Sequence, residues 1–176
     1  MKTERYVNMG CVLVLFTGSL WAASVPKPVR SRFVVGDPIW RELPVRPNLQ
    51  SQYEKCWQTA VNAILENNFD IATMDKDSGY IRTTWNEGLV RLTGDWVYKI
   101  QISVKLVSEA GESKPNQPSP LIMQKVRVQV AGEVSNVNKG RLIESFRGYD
   151  QVLLQNLFQD LQAKLGATVG TQIVGR

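Results

Sequence analysis

Two stretches of strict alternation constrain this chain more than anything else in it. From 96 to 107 it reads WVYKIQISVKLV, with Trp96, Tyr98, Ile100, Ile102, Val104 and Leu106 on one parity and Lys99, Gln101, Ser103 and Lys105 on the other. Successive side chains of a strand point to opposite faces, so this pattern is a strand with one dry face and one wet face. A second stretch, LIMQKVRVQVAGEVSNV, repeats the pattern: Ile122, Val126, Val128, Val130 and Val134 face inward, and Lys125, Arg127, Gln129 and Glu133 face outward. The polar, proline-rich SEAGESKPNQPSP between them reads as the loop of an antiparallel hairpin. A sheet with one dry face must be covered, and the cover has to come from elsewhere in the chain.

Two segments have the helical period that this cover requires. Ser51 followed by Glu54 reads as a capping box. After it Tyr53, Cys56, Trp57, Ala60, Val61, Ile64 and Leu65 form an apolar stripe that ends near Asn68. Asp150 caps a final helix with Leu154, Leu157, Phe158, Leu161 and Leu165 on one side, stopped by Gly166. FDIAT and YIRTTW read as two further strands joined by an acidic turn, Asp75 to Gly79. The resulting order, α-β-β-β-β-α, predicts an α+β two-layer domain, a four-stranded antiparallel sheet covered on one face by two helices. It spans 51–166, with 167–176 as a C-terminal tail.

The N-terminus has a different character. Lys2 and Arg5 precede the apolar run VNMGCVLVLFTGSLW, and small residues with a proline follow, which is the layout of a secretory signal peptide over 1–24. Ala22 and Ser24 fit the −3 and −1 positions of a cut before Val25; an uncleaved anchor helix is the other reading. Gly10 precedes Cys11 as in a lipobox. However, Asn8 stands where leucine is needed and the apolar run follows the cysteine, which argues against lipidation. Removing 1–24 takes away Lys2, Arg5 and Glu4 and lowers the formal charge from +5 to +4. That charge is too small and too scattered for a nucleic-acid binder. Cys56 is then the only cysteine, so no internal disulfide can form.

Residues 25–50 hold five prolines and no periodicity, and read as an extended arm. Its apolar residues, Phe33, Ile39 and Trp40 foremost, must lie against something: its own domain, or a groove in a partner. Lys99, Lys105, Lys125 and Arg127 share the wet sheet face and form a second candidate surface, or a merely solvated one.

Little in the chain suggests catalysis. There is no histidine, which removes the commonest general base and excludes Ser-His and Cys-His nucleophiles. Cys56 lies in an apolar stripe and reads as a core thiol. Asp75, Asp77 and Gly79 do not have the spacing of an EF-hand loop and read as a hairpin corner. The acidic residues fall in turns, loops and solvent faces, away from any expected pocket. No cofactor and no metal is therefore expected.

The helix and the strands after it carry a resemblance. CWQTAVNAILENNFDIATMDKDSGYIRTTW is similar to the repeated helix-grip domain of the BamC (NlpB) family of outer-membrane assembly lipoproteins. The matching positions are Trp57, Ile64, Leu65, Phe69, Ile71, Asp75, Asp77, Gly79, Ile81, Thr83 and Trp85. The resemblance implies a non-enzymatic accessory protein of a bacterial cell-envelope complex, periplasmic and peripherally associated with the outer membrane. In that family an extended N-terminal segment binds a protein partner, and the arm occupies the equivalent place. A subunit of another envelope machine (secretion, pilus or motor) fits equally. The rival expectation is a periplasmic module that binds a small ligand or lipid between sheet and helix, in a cavity lined by Trp57, Trp85 and Trp96.

Overall fold

The hairpin read from the alternation is the spine of the molecule, and it is longer than its periodic core. In the computed structural model, which describes residues 26–87, 96–111 and 121–166, β5 is Trp96–Ala110 and β6 is Leu121–Asn138. Tyr98, Ile100, Ile102, Val104 and Leu106 are buried on β5, as are Val126, Val128, Val130 and Val134 on β6. The parity changes once. The register slips between Val107 and Ser108, leaving Gln124 unpaired, so Met123 turns inward in place of Ile122.

Before this hairpin come a short helix α1 (Lys27–Arg30), β1 (Phe33–Val35), β2 (Arg41–Pro44) and a 3-10 turn (Pro47–Leu49). Then follow α2 (Tyr53–Glu66), β3 (Ile71–Asp75) and β4 (Tyr80–Thr83). After it come β7 (Arg141–Asp150) and α3 (Gln151–Leu165). Among the described residues, seven strands join one antiparallel sheet in the order β1-β7-β6-β5-β4-β3, with β2 also paired to β6. The expected four-stranded sheet under two helices is therefore incorrect: β3 to β6 are four of seven strands, and a third, short helix precedes them.

Three strands carried too weak a pattern to be expected. β7 reads RLIESFRGYD, and Leu142 and Ile143 are both about as exposed as its polar residues, at 63% and 61%. With neither face of its first half dry, no alternation arises. Its hairpin turn is Lys139-Gly140, both at positive φ (49° and 76°), a two-residue primed turn built without an Asn-Gly pair. β1 and β2 are only three and four residues long and lie among prolines. Pro44 closes β2, a position where a proline is tolerated.

Both long helices cover the dry face. α2 buries Cys56, Trp57, Ala60, Ala63 and Ile64; α3 buries Leu153, Leu154, Leu157, Leu161 and Leu165. The capping box at Ser51 does not form: Gln52 is the N-cap, without a side-chain bond, and Glu54 pairs with Lys76 instead. Leu65 is exposed, and Asn68 takes a left-handed conformation (φ 60°) to end the chain's run beyond α2. Asp150 does cap α3, accepting the Leu153 N–H at 2.8 Å.

The Asp75–Gly79 corner is a tight hairpin loop. The Ser78 hydroxyl, and then the Ser78 N–H that Asp75 Oδ1 accepts at 3.2 Å, hold the Asp75 carboxyl below its ordinary range. Gly79 sits at φ 70°, and a Cβ there would lie 2.5 Å from the Leu106 carbonyl oxygen. Among the described residues no group of His, Cys, Asp or Glu is placed to hold a metal ion, and no helix is long and apolar enough to cross a membrane. The expected signal peptide over 1–24, Cys11 and the expected tail 167–176 lie outside the described residues.

Candidate functional site

The arm is tied into the sheet by its two short strands. β1 pairs with the end of β7, Phe33 opposite Asp150 and Val35 opposite Gly148. The chain then turns back and adds β2 to β6, Arg41 opposite Val128 and Pro44 opposite Lys125. β7 covers β6 only from Ala131 onward, so β2 takes the length of the same edge that β7 leaves bare. To pass from one strand to the other, residues 36–40 cross β7 on the open face, opposite the helices. Gln129 donates to the Pro38 carbonyl there at 2.8 Å, and Arg127 lies over the Trp40 ring at 5.2 Å. Beyond β2, Val45 bridges Gly166, and Arg46 donates to the carbonyls of Ala163 and Gly166 at the end of α3.

The three arm residues singled out in the sequence therefore separate. Phe33 is buried, at 3% exposure. Its ring fills a slot made by two glycines paired across β6 and β7, Gly132 and Gly148; a Cβ on either would come within 2.8 Å of that ring. Tyr98 meets the ring edge-on at 5.9 Å and 88°. Beside the slot, the buried Asp150 carboxylate receives Arg32 at 2.9 Å and the Tyr98 hydroxyl at 2.9 Å. Burial, and then the Asp150 charge, push the Tyr98 hydroxyl far above its ordinary pKa. Trp40 is half-buried, and only Ile39, 46% exposed, faces outward.

Ile39 lies on a cleft of about 490 Å³ at the corner where β7 passes into α3, with Arg41, Tyr149, Val152, Leu154 and Gln155. Val152 is also exposed, at 39%, so the rim pairs an arm residue with a helix residue. Arg41 is held over the Phe158 ring at 4.2 Å and donates to Gln155.

The basic patch is largely neutralised within the domain. Glu42 on β2 pairs with Lys125 at 2.7 Å, and that hydrogen bond draws the Glu42 carboxyl below its ordinary range. Arg127 Nε lies 3.1 Å from the other Glu42 oxygen but is not aligned for a hydrogen bond, so this contact is Coulombic. Lys99 pairs with Glu87 at 3.0 Å, and Lys105 donates to the Ser78 carbonyl. The sequence could not have located Glu42 here, because its pairing depends on β2.

The three tryptophans do not share a cavity. Trp57 is buried under the sheet, whereas Trp85, 44% exposed, lines a cleft of about 500 Å³ on the open face with Asp37, Pro38, Ala131, Gly132, Glu133 and Arg147. Trp96 packs against the edge of the core. Sequence reading missed this open-face cleft because its walls come from three distant segments, the arm crossover, the end of β4 and the β6–β7 hairpin. It also places two carboxylates, Asp37 and Glu133, in one cleft. Asp37 is exposed and Glu133 half-buried. No family model matches the chain, and no curated protein does.

Proposed function

We propose that this chain is an exported, non-catalytic accessory protein of a bacterial cell-envelope complex, similar in role to the BamC family. It resides in the periplasm, peripheral to the outer membrane, and holds a protein partner at the corner cleft. The observation that carries the reading is the rim of that cleft, where the exposed apolar side chains of Ile39 and Val152 flank Tyr149. Exposed aliphatic residues around an aromatic are the composition of a small protein-docking patch. The signal-like N-terminus and the absence of histidine support the exported and non-catalytic parts of the reading. Phe33 is not part of the docking surface, since its ring serves the protein's own core.

The test is affinity purification of the tagged protein from gently solubilised envelopes, in parallel with an Ile39→Asp, Val152→Asp variant. Recovery of barrel-assembly subunits with the wild type, lost with the variant, supports the BamC-type reading. Recovery of a secretion, pilus or motor complex keeps the accessory role and changes the machine. Identical recovery from both proteins overturns the corner cleft as the docking site.

A further inference from the structure

We infer that the open-face cleft around Trp85 binds a pyranose oligosaccharide, independently of any protein partner at the corner. The cleft has a floor of Ala131 and Gly132, with the partly exposed indole of Trp85 on its lining. Glu133 and Arg147 stand opposite each other in the β6–β7 register, and Asp37 comes in from the arm crossover. Glu133 is held in place: Ser135 and Ser145 donate to its Oε1 at 3.2 and 2.9 Å. Among the described residues the Arg147 guanidinium and the Asp37 carboxylate enter no ion pair. A second cleft of about 400 Å³, lined by Glu87, Lys99, Ser135, Val137 and Leu142, shares Glu133 with the first. Glu133 is thus within reach of a ligand in either cleft.

The kind of chain follows from what a sheet face offers. Backbone N–H and C=O groups in β5, β6 and β7 are consumed by the ladders between them. An extended peptide laid across this face would bring its own backbone donors and acceptors and find no backbone to pair with. An oligosaccharide carries its hydrogen-bonding groups as hydroxyls, which side chains satisfy: carboxylates accept and a guanidinium donates in planar pairs. Its C–H face is apolar and flat enough to stack on an indole, whose exposed surface is otherwise costly to leave in water. Trp85, Glu133, Arg147 and Asp37 provide both requirements in one place.

The test is NMR titration of the purified chain, following the tryptophan indole N–H resonances, with that of Trp85 assigned from a Trp85→Phe variant. The probes are chitotetraose and cellotetraose, which share the pyranose backbone and differ in N-acetylation. Saturable shifts of the Trp85 resonance with either sugar support the site. A response to chitotetraose alone assigns it to N-acetylated glycans, and a response to both assigns it to the shared sugar backbone. Trp85→Ala should weaken binding about tenfold, the equivalent of one lost stacking contact. Glu133→Gln should weaken it as well, while the circular dichroism spectra of both variants stay unchanged. No shift at millimolar sugar overturns the inference, as do shifts with an extended alanine-rich octapeptide and none with sugar.

Discussion

Replacing Phe33 with alanine separates a core anchor from a partner anchor. The ring is 3% exposed, filling the Gly132–Gly148 slot and meeting Tyr98 edge-on. Truncating such a ring loses transfer free energy and leaves a cavity, together about 3–5 kcal/mol. The slot cannot collapse onto the space, because its walls are two backbone glycines fixed by strand pairing. The upper half of that range is therefore expected. With a urea slope of about 2 kcal/mol/M for a domain of this size, a loss of about 4 kcal/mol moves the unfolding midpoint down by about 2 M. Against a total stability of about 5–15 kcal/mol, this is a large fraction. The assay is urea unfolding followed by tryptophan fluorescence and circular dichroism, with Ile39→Ala as an exposed control that should not move. A midpoint shift below about 0.5 M at unchanged slope would refute the reasoning, since an arm that served only a partner would leave stability alone. By the same logic, deleting 25–50 removes Val29, Phe33, Leu43, Val45 and Leu49 from the core and should unfold the domain outright.

Three further outcomes are expected. The Tyr98 hydroxyl stays protonated in the fold well above the usual 10.0, while the unfolded chain releases its proton there. Stability is therefore full below about pH 10 and falls as pH rises past it; urea midpoints at about pH 8 and pH 11 should show a smaller drop in Tyr98→Phe. Gly79→Ala places a Cβ against the Leu106 carbonyl at positive φ and should cost about 2 kcal/mol in the same unfolding assay. Glu42→Gln releases Lys125 and Arg127 from their shared carboxylate, so the protein should be retained longer on a cation exchanger with almost no change in unfolding midpoint.

The parts of the fold legible in the sequence are those with one dry face. β5 and β6 alternate over most of their length, and the stripes of α2 and α3 identify their buried sides, with Asp150 as a true cap. Elements whose burial depends on distant partners were not legible. β1 and β2 are too short to show a period, and they are strands because β7 and β6 leave bare edges for them. The glycines at 132 and 148 carry no pattern of their own, and only the register pairs them beneath Phe33. The same reason hid the open-face cleft: Trp85 is visible as an aromatic on a strand, but Arg147 and Asp37 reach it only through the β6–β7 hairpin and the arm crossover. The basic patch shows the opposite error. Its cations follow the alternation, and the carboxylates that pair with Lys99, Lys125 and Arg127 come from Glu87 and Glu42, outside the pattern.

The closure of the sheet by its first strand has a kinetic consequence. Arg32 and Asp150, joined in the finished fold, are 118 residues apart. Contacts of such separation form late in a folding reaction, because a large loop must close before they reward it. β5, β6 and β7 are local hairpins and form early, leaving the outer edge of β7 unpaired and the glycine slot empty. Until Phe33 arrives, that edge and the slot beside it stay open to other chains. The arm thus acts last, as the latch that ends the chain's exposure to aggregation.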